Sequence, residues 1–440
     1  MDVSNPLTRR SWPGADRTVA LFLKGYGWLP PRTGAETGTG PLPIRLFGRP
    51  AVVLRGPGAV PFFYDERHAL RSGALPGPVL DTLFGRGAVH TLDSAGHRVR
   101  KELFLSWLTE PSRVAALADG TVGEFRARLG VPGREAVLLD EAALVLARAV
   151  RDWAGLPGYD DGATALLGRD CVAMVDGFAT PGPRHLRARR ARARQEALLR
   201  EAVVRAREDG SGGGAGDPPR TPFEAVVAHR EADGSLLPPD TAAVELLNIV
   251  RPTVAIAWFT TFAAYAMSRR PDVRRRLAEE PEGRDEGPAG LARSFAHEVR
   301  RFYPFAPFVG ALAARGLVLD GGTRVGRGTP LLLDVFGQNH DPALWEDPYR
   351  FVPDRFLGAS AHPAGLIPQG GGPPEGHRCP GEDITVVLLA RLSRELARLD
   401  FAVAGQDTRI PLRRVPTRPR DGLRITVGTR ARAGAAGVRS

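Results

Sequence analysis

Only two of the 440 residues are cysteine, Cys171 and Cys379, and three are methionine. So few thiols exclude the disulfide framework of a small secreted domain. Lysine is nearly missing as well: of 60 basic residues only Lys24 and Lys101 are lysine, and 58 are arginine. With abundant Ala, Gly and Pro, this bias reads as a codon preference, so the net charge of +11 does not argue for nucleic acid. The densest basic run, RHLRARRARARQ over Arg184–Gln195, has no interleaved aromatics. Single-strand binding uses such rings as stacking platforms. The run therefore reads as a solvated helix face, with docking of an acidic partner as the alternative. Long apolar runs are also missing. The longest, PTVAIAWFTTFAAYAM over Pro252–Met267, has 16 residues between Arg251 and Arg269, short of the ~20 that span a bilayer. The first 31 residues hold neither an uninterrupted apolar core nor a small-residue cleavage site. The expectation is a cytoplasmic protein with no membrane span and no nucleic-acid partner.

What is present is a normal globular composition, 43% hydrophobic and 25% charged, which can enclose a buried cofactor. The length allows two or three ordinary domains or one large one. Residues 1–40 are rich in Pro and Gly and read as an extended lead-in. Ile44–Tyr64 alternates apolar and other residues around turn signals and reads as a small hairpin or sheet. From about residue 65 to 310 apolar residues recur at helical spacing. The stretches 207–220 and 279–290 read as surface loops, 315–336 as short strands joined by Gly turns, and the tail after Thr429 as flexible. The longest helical pattern runs from Asp240, a good N-cap, to about Arg269. At 1.5 Å per residue that is roughly 45 Å, and Pro252 in its middle predicts a kink.

Cys379 stands in QGGGPPEGHRCPGEDI, directly ahead of the amphipathic segment DITVVLLARLSRELARLDF. A thiolate is stabilised at a helix N-terminus and by backbone N–H groups aimed at it. Pro380 turns the chain, Gly381 allows close approach, and the three glycines let the backbone fold tightly under a flat ligand. This suits a thiolate that binds iron from below; an inert buried cysteine is the alternative. No GK[ST] follows, so the loop is not a phosphate cradle. Upstream, EVRRFYPF places Glu298 and Arg301 one helical turn apart, and NHDPALWEDPYRFVPDRF leads into the cysteine loop.

These three segments, in this order, resemble the cytochrome P450 superfamily over about residues 44–428. The resemblance implies a mainly α fold with small β-sheets. It implies one large domain over 41–428, after the lead-in 1–40 and before the flexible tail 429–440. Haem b would lie between the long helix and the cysteine loop, its iron held by the Cys379 thiolate. Glu298, Arg301 and Arg355 would form a buried charged triad behind that loop.

Two departures narrow the reading. The superfamily has an acid and an alcohol in the long helix that relay protons to dioxygen; here Arg251 and Pro252 stand there. The phenylalanine seven residues before the cysteine is replaced by Gly372. Both resemble the bacterial fatty-acid peroxygenases, as do LNIVRPTVAIA, LFGRGAVHTLD, GHRCPGE and MVDGFATPGPRH. That branch implies hydrogen peroxide as oxidant and no obligatory redox partner. The chemistry is consistent: a guanidinium binds a carboxylate through two parallel charge-assisted bonds, and a cation inside an apolar helix is costly unless paired. A fatty-acid carboxylate on Arg251 would serve as the missing acid–base group and place Cα and Cβ nearest the oxidant. The alternative is an ion pair of Arg251 with another acid or with Glu245, six residues away and off that face. His90 matches a position above the haem that in this branch resembles the decarboxylating members, and Phe84 is expected in the same pocket. Arg71, His97, Arg100 and Lys101 are candidate partners of the haem propionates. Phe308, with Pro307 and Val309, is expected along the haem edge and the substrate. Cys171 reads as a small apolar filler. Two other functions compete: a monooxygenase fed by dioxygen and a reductase, and a non-catalytic haem-binding lipid sensor or carrier.

Overall fold

The element that organises the fold is a helix with almost no polar face. Pro239–Ser268 is apolar nearly all round, and a helix of that kind must be buried on every side. By length and composition it could cross a membrane, yet 94% of its most apolar window is inside the protein. Packed around it are the helices Leu138–Ala154, Asp161–Gly177, Pro183–Glu208 and Glu382–Arg398. Leu246, Trp258 and Phe262 of the long helix and Val145, Leu167 and Leu388 of its neighbours form one continuous core. The structure, a computed structural model, describes residues 14–29, 40–178, 180–210, 218–281, 289–360, 362–403 and 405–428. Most of the two expected surface loops, 211–217 and 282–288, and the tail 429–440 lie outside the described residues.

Asp240 does not cap this helix. Pro238 occupies the cap and Pro239 the first helical position, with Asp240 in the first turn. Proline has no N–H to lose there, and the acid still faces the positive end of the helix dipole. The helix runs on through Pro252. Proline's missing N–H removes the donor to the Asn248 carbonyl, while the Thr253 hydroxyl donates back to Ile249 O at 2.9 Å.

Short strands flank the helices. A five-stranded sheet runs in the order Leu42–Leu46, Arg49–Leu54, Pro330–Leu333, Val309–Ala313, Ala69–Leu70. Its first pair is an antiparallel hairpin with Leu42 opposite Val53; its second is parallel, with Val52 opposite Leu331. Glu135–Val137, Arg424–Val427 and Phe401–Val403 form a second sheet. The strand reading of Ile44–Tyr64 ends at Leu54, and Ala59–Phe63 is helical. The lead-in also differs from expectation. Thr18–Lys24 is a helix, Tyr26 and Trp28 are buried, and Trp28 packs with Ile44, Val53 and Leu332. Two aromatic anchors outweigh the Pro and Gly content around them, so the packed structure begins well before residue 41.

Arginines on Pro183–Glu208 are mostly solvated, as the sequence predicted; Arg192 is the buried exception, donating to Leu83 O at 2.6 Å and to Glu196 at 2.7 Å.

Several histidines are buried. His340 lies between Phe302, Phe336 and Tyr349, and burial pulls it down to about 4. In the unfolded chain it titrates near ~6.5. Its stabilising contribution is therefore complete above that pH and declines as pH falls toward 4, because the unfolded chain takes the proton first. Replacing His340 by Gln should flatten the fall in urea stability by about 1 kcal/mol per pH unit between about pH 6 and pH 5. Equilibrium unfolding at several pH values checks this.

Candidate active site

Cys379 sits just ahead of the helix Glu382–Arg398, whose inner face packs into the core. The Gly381 N–H supports a negative sulfur, but burial pushes the Cys379 thiol up. Gln369 Nε2 makes a long contact to Sγ at 3.7 Å and donates to Thr385 Oγ1 at 3.0 Å. Beneath the sulfur, Glu382 takes Arg300 and Arg378 as partners, the second at 2.7 Å. Burial raises that carboxyl, yet the two guanidiniums more than offset it and hold it below the usual range. The glycines ahead of the cysteine make room for a neighbouring ring. A Cβ on Gly370 would lie 2.4 Å from Tyr64 Oη and one on Gly372 2.6 Å from Tyr64 Cβ, and both residues have positive φ, +91° and +82°. Tyr64 thus occupies the space beside Gly372.

The triad assembles. Arg301 donates to both oxygens of Glu298 at 2.7 and 2.8 Å, and Arg355 Nε stands 3.2 Å from Glu298. Arg301 also donates to the carbonyls of Asn339 and Pro348, both at 2.8 Å, and Glu298 accepts from Val352 N at 2.8 Å. These bonds tie the helix Leu291–Phe302 to the segment that leads into the cysteine loop.

On the opposite side, Arg251 projects from the long helix, 6% exposed. Among the described residues no carboxylate pairs with it. Its one hydrogen bond runs from Nη2 to Asn248 Oδ1 at a long 3.5 Å, and Nε has no partner. Burial first, and Arg192 second, pull it down to about 9. The guanidinium carbon lies 5.8 Å from the Phe84 ring centre, and Phe84 packs on His90 at 4.4 Å. His90 Nδ1 has no partner; burial, then Arg251, hold the ring well below its ordinary value and so neutral. Glu245 is already engaged: it accepts from Val89 N at 2.7 Å, from Arg100 at 3.2 Å and from Asn248 Nδ2 at 3.2 Å. The alternative pair Arg251–Glu245 is not formed.

The cytochrome P450 family model matches residues 253–412. Among solved structures, a point mutant of cytochrome P450SP alpha (CYP152B1) is 35% identical, covering 94% of this chain and 98% of its own, with a TM-score of 0.84. The chain belongs to the cytochrome P450 family. P450EX alpha (CYP152N1), solved with myristic acid, is 34% identical, covering 94% of this chain and 97% of its own, at a TM-score of 0.83. A point mutant of OleT, solved with arachidonic acid, is 29% identical, covering 95% of this chain and 99% of its own, at 0.85. These place the P450 in the bacterial fatty-acid peroxygenase branch. Putative cytochrome P450 137 of Mycobacterium tuberculosis is 28% identical over 207 residues, 46% of this chain and 41% of that protein. Human cytochrome P450 2D6 is 31% identical over 163 residues, 33% of this chain and 32% of that protein. The match thus spans less than half the length of such curated relatives.

The cofactor of this P450 is haem b with a cysteine thiolate on iron, and the residues present fit it. A buried cationic group borders Cys379 with spare donors. Arg71 lies over Phe63 at 4.2 Å and donates Nη2 to Phe63 O at 3.2 Å, while Nη1 has no partner. His97 and His377 pack at 3.9 Å, and His377 Nε2 faces the carboxylates of Glu66 at 3.5 Å and Asp93 at 3.4 Å. Lys101 donates to Arg378 O, and burial pulls it down to about 8. Arg71, His97, Lys101 and His377 could receive two propionates, and Cys379 the iron. His377 escaped the sequence reading although it stands two residues before the cysteine.

Two expected site residues lie elsewhere. Arg100 pairs with Glu231 and Glu245 and donates to Gly87 O. His97 and Lys101 are four residues apart and share a helix face, which Arg100 does not. Phe308 packs on Trp28 at 5.3 Å, and Phe305 is the ring that reaches the long helix, 5.5 Å from Phe259. After the helix ends at Phe302 the chain bends at residues 303, 305 and 307 before the strand begins at Val309, so neither helical nor strand spacing tells which of the two rings faces the long helix.

Replacing Cys379 by Ala should abolish the long-wavelength carbon monoxide band of thiolate-ligated haem. Difference spectroscopy of the reduced, haem-reconstituted variant checks this.

Proposed function

We propose that this P450 uses hydrogen peroxide to hydroxylate fatty acids at Cα or Cβ, with decarboxylation to a terminal alkene as the competing outcome. One observation carries the reading: a buried guanidinium, Arg251, that stands beside Phe84 with no carboxylate partner among the described residues. The names of the related structures support it, since two of those proteins hold myristic and arachidonic acid.

Haem b on Cys379, when bound, supplies the oxidising chemistry. The chain's own residues prepare the reactant. Arg251 takes the fatty-acid carboxylate through paired charge-assisted bonds and so fixes the end of the chain that reacts. The bound carboxylate accepts a proton from hydrogen peroxide and returns it to the oxygen that departs as water. Pro252 offers no hydroxyl, so the dioxygen relay of ordinary P450s is lost at that position. Phe84 and His90 wall the pocket beside the carboxylate, and Phe84 excludes water from it. Hydroxylation consumes one acid and one peroxide and yields hydroxy acid and water. Decarboxylation consumes the same pair and yields alkene, carbon dioxide and two waters. The neutral His90 is placed to hold the carboxylate during the second outcome.

The competing monooxygenase reading requires a reductase and dioxygen. Purified protein given a long-chain acid and peroxide alone should form product; product only with reductase and NAD(P)H would favour that alternative. Replacing Arg251 by Ala should retain haem and lower turnover at least about a hundredfold; near-normal turnover would remove Arg251 from its role. His90→Gln should lower the alkene-to-hydroxyacid ratio, read by gas chromatography–mass spectrometry.

A further inference from the structure

Arg251 is long and nearly unsupported, and a guanidinium that must meet a carboxylate in one orientation needs something to hold it. Its hydrogen-bond partner is Asn248 Oδ1, one helical turn earlier. An amide side chain can turn over and exchange its oxygen for its nitrogen. Two acceptors decide which way Asn248 faces. Its Nδ2 donates to Phe84 O at 2.8 Å and to Glu245 Oε2 at 3.2 Å. The second oxygen of Glu245 accepts from Val89 N at 2.7 Å, next to His90. Arg100 stands 3.2 Å from that oxygen and is itself paired with Glu231.

We propose that Glu245 is a positioning residue for this P450: one buried carboxylate that fixes both the Asn248 amide behind Arg251 and the Phe84–His90 loop across from it. Burial pushes the Glu245 carboxyl up to about 7, with Arg100 acting against it, but the donors that converge on it, Val89 N and Arg100 on one oxygen and Asn248 Nδ2 on the other, fit the ionised form. An ionised carboxylate is acceptor-only on both oxygens. It therefore permits one orientation of Asn248, the one that offers Oδ1 to Arg251. A glutamine at 245 has the same shape but a donor at one end. With its oxygen kept on Val89 N, its Nε2 meets Asn248 Nδ2, donor against donor. Turning Asn248 over relieves that clash but faces Oδ1 to the Phe84 carbonyl and Nδ2 to Arg251, two new mismatches. Turning the glutamine instead strands the Val89 N–H. Each arrangement loosens either the guanidinium or the loop opposite it. Glu245 thus acts on Arg251 not as a direct ion-pair partner but one residue removed, through Asn248.

The inference rests on Arg251 as the carboxylate anchor, and the test separates the two. Haem-loaded wild type and Glu245→Gln are titrated with myristate and with myristyl alcohol, which lacks the carboxylate, and each is then turned over with peroxide. Myristate should bind the variant about tenfold more weakly, as befits the loss of one hydrogen bond to a charged group. KM should rise by a similar factor while kcat stays within about twofold. Affinity for the alcohol should not change. Equal weakening of acid and alcohol, or no weakening of either, overturns the proposal. A crystal structure of the variant decides it without any fatty acid: Arg251 or the Phe84–His90 loop displaced supports it, and both unmoved overturns it. A wild type that binds acid no better than alcohol would sink the anchor reading, and the crystal structure would still decide the role of Glu245.

Discussion

An unneutralised cation in an apolar interior governs this molecule. Arg251 stands on the long buried helix, and its surroundings are arranged so that no carboxylate among the described residues reaches it. The acid that could have done so, Glu245, is taken by Arg100, Val89 and Asn248. Leaving a charge buried and unpaired costs several kcal/mol. Folding here absorbs that cost across a very large core, and the charge is left available for a ligand.

The cysteine loop and the long helix handle charge in opposite ways. Behind the cysteine loop the buried acids are saturated: Glu298 by Arg301 and Arg355, Glu382 by Arg300 and Arg378. Those networks are rigid because removing one member would strand another. At the haem-facing edge and above it the cations keep spare donors, on Arg71 and on Arg251. Saturated networks hold the ligand loop in place; unsaturated cations mark where carboxylates of cofactor and substrate would enter.

What could be read from the sequence follows from this division. Local motifs survived: Cys379 before its helix, the one-turn spacing of Glu298 and Arg301, and Arg251 within an apolar run all depend on short-range geometry. Readings that needed a direction in space fared worse. Arg100 and Lys101 are adjacent in sequence, yet a helix turns them by about 100°, and they serve different clusters. Phe305 and Phe308 stand in a segment of successive bends, which has no periodicity to assign a face. The lead-in was judged by its Pro and Gly content, whereas Tyr26 and Trp28 decide its fate through long-range packing. The glycines before Cys379 suggest a flat ligand from sequence alone, and their nearest constraints are Tyr64, at Gly370 and Gly372, and Val60, at Gly371, residues far away in the sequence.

Placing the counter-charge on the substrate also bears on selectivity. A pocket lined only by apolar groups separates molecules that differ by one polar group rather poorly, whereas a site with a buried polar group left unpaired rejects ligands that cannot pair it. An alkane or alcohol entering beside Arg251 would strip water from the guanidinium without offering an anion, and Phe84 and His90, neutral and close, could not compensate. A carboxylic acid restores the balance. The group that would move the proton is thus the same group that makes entry favourable, so a molecule unable to assist the reaction is disfavoured before any chemistry begins.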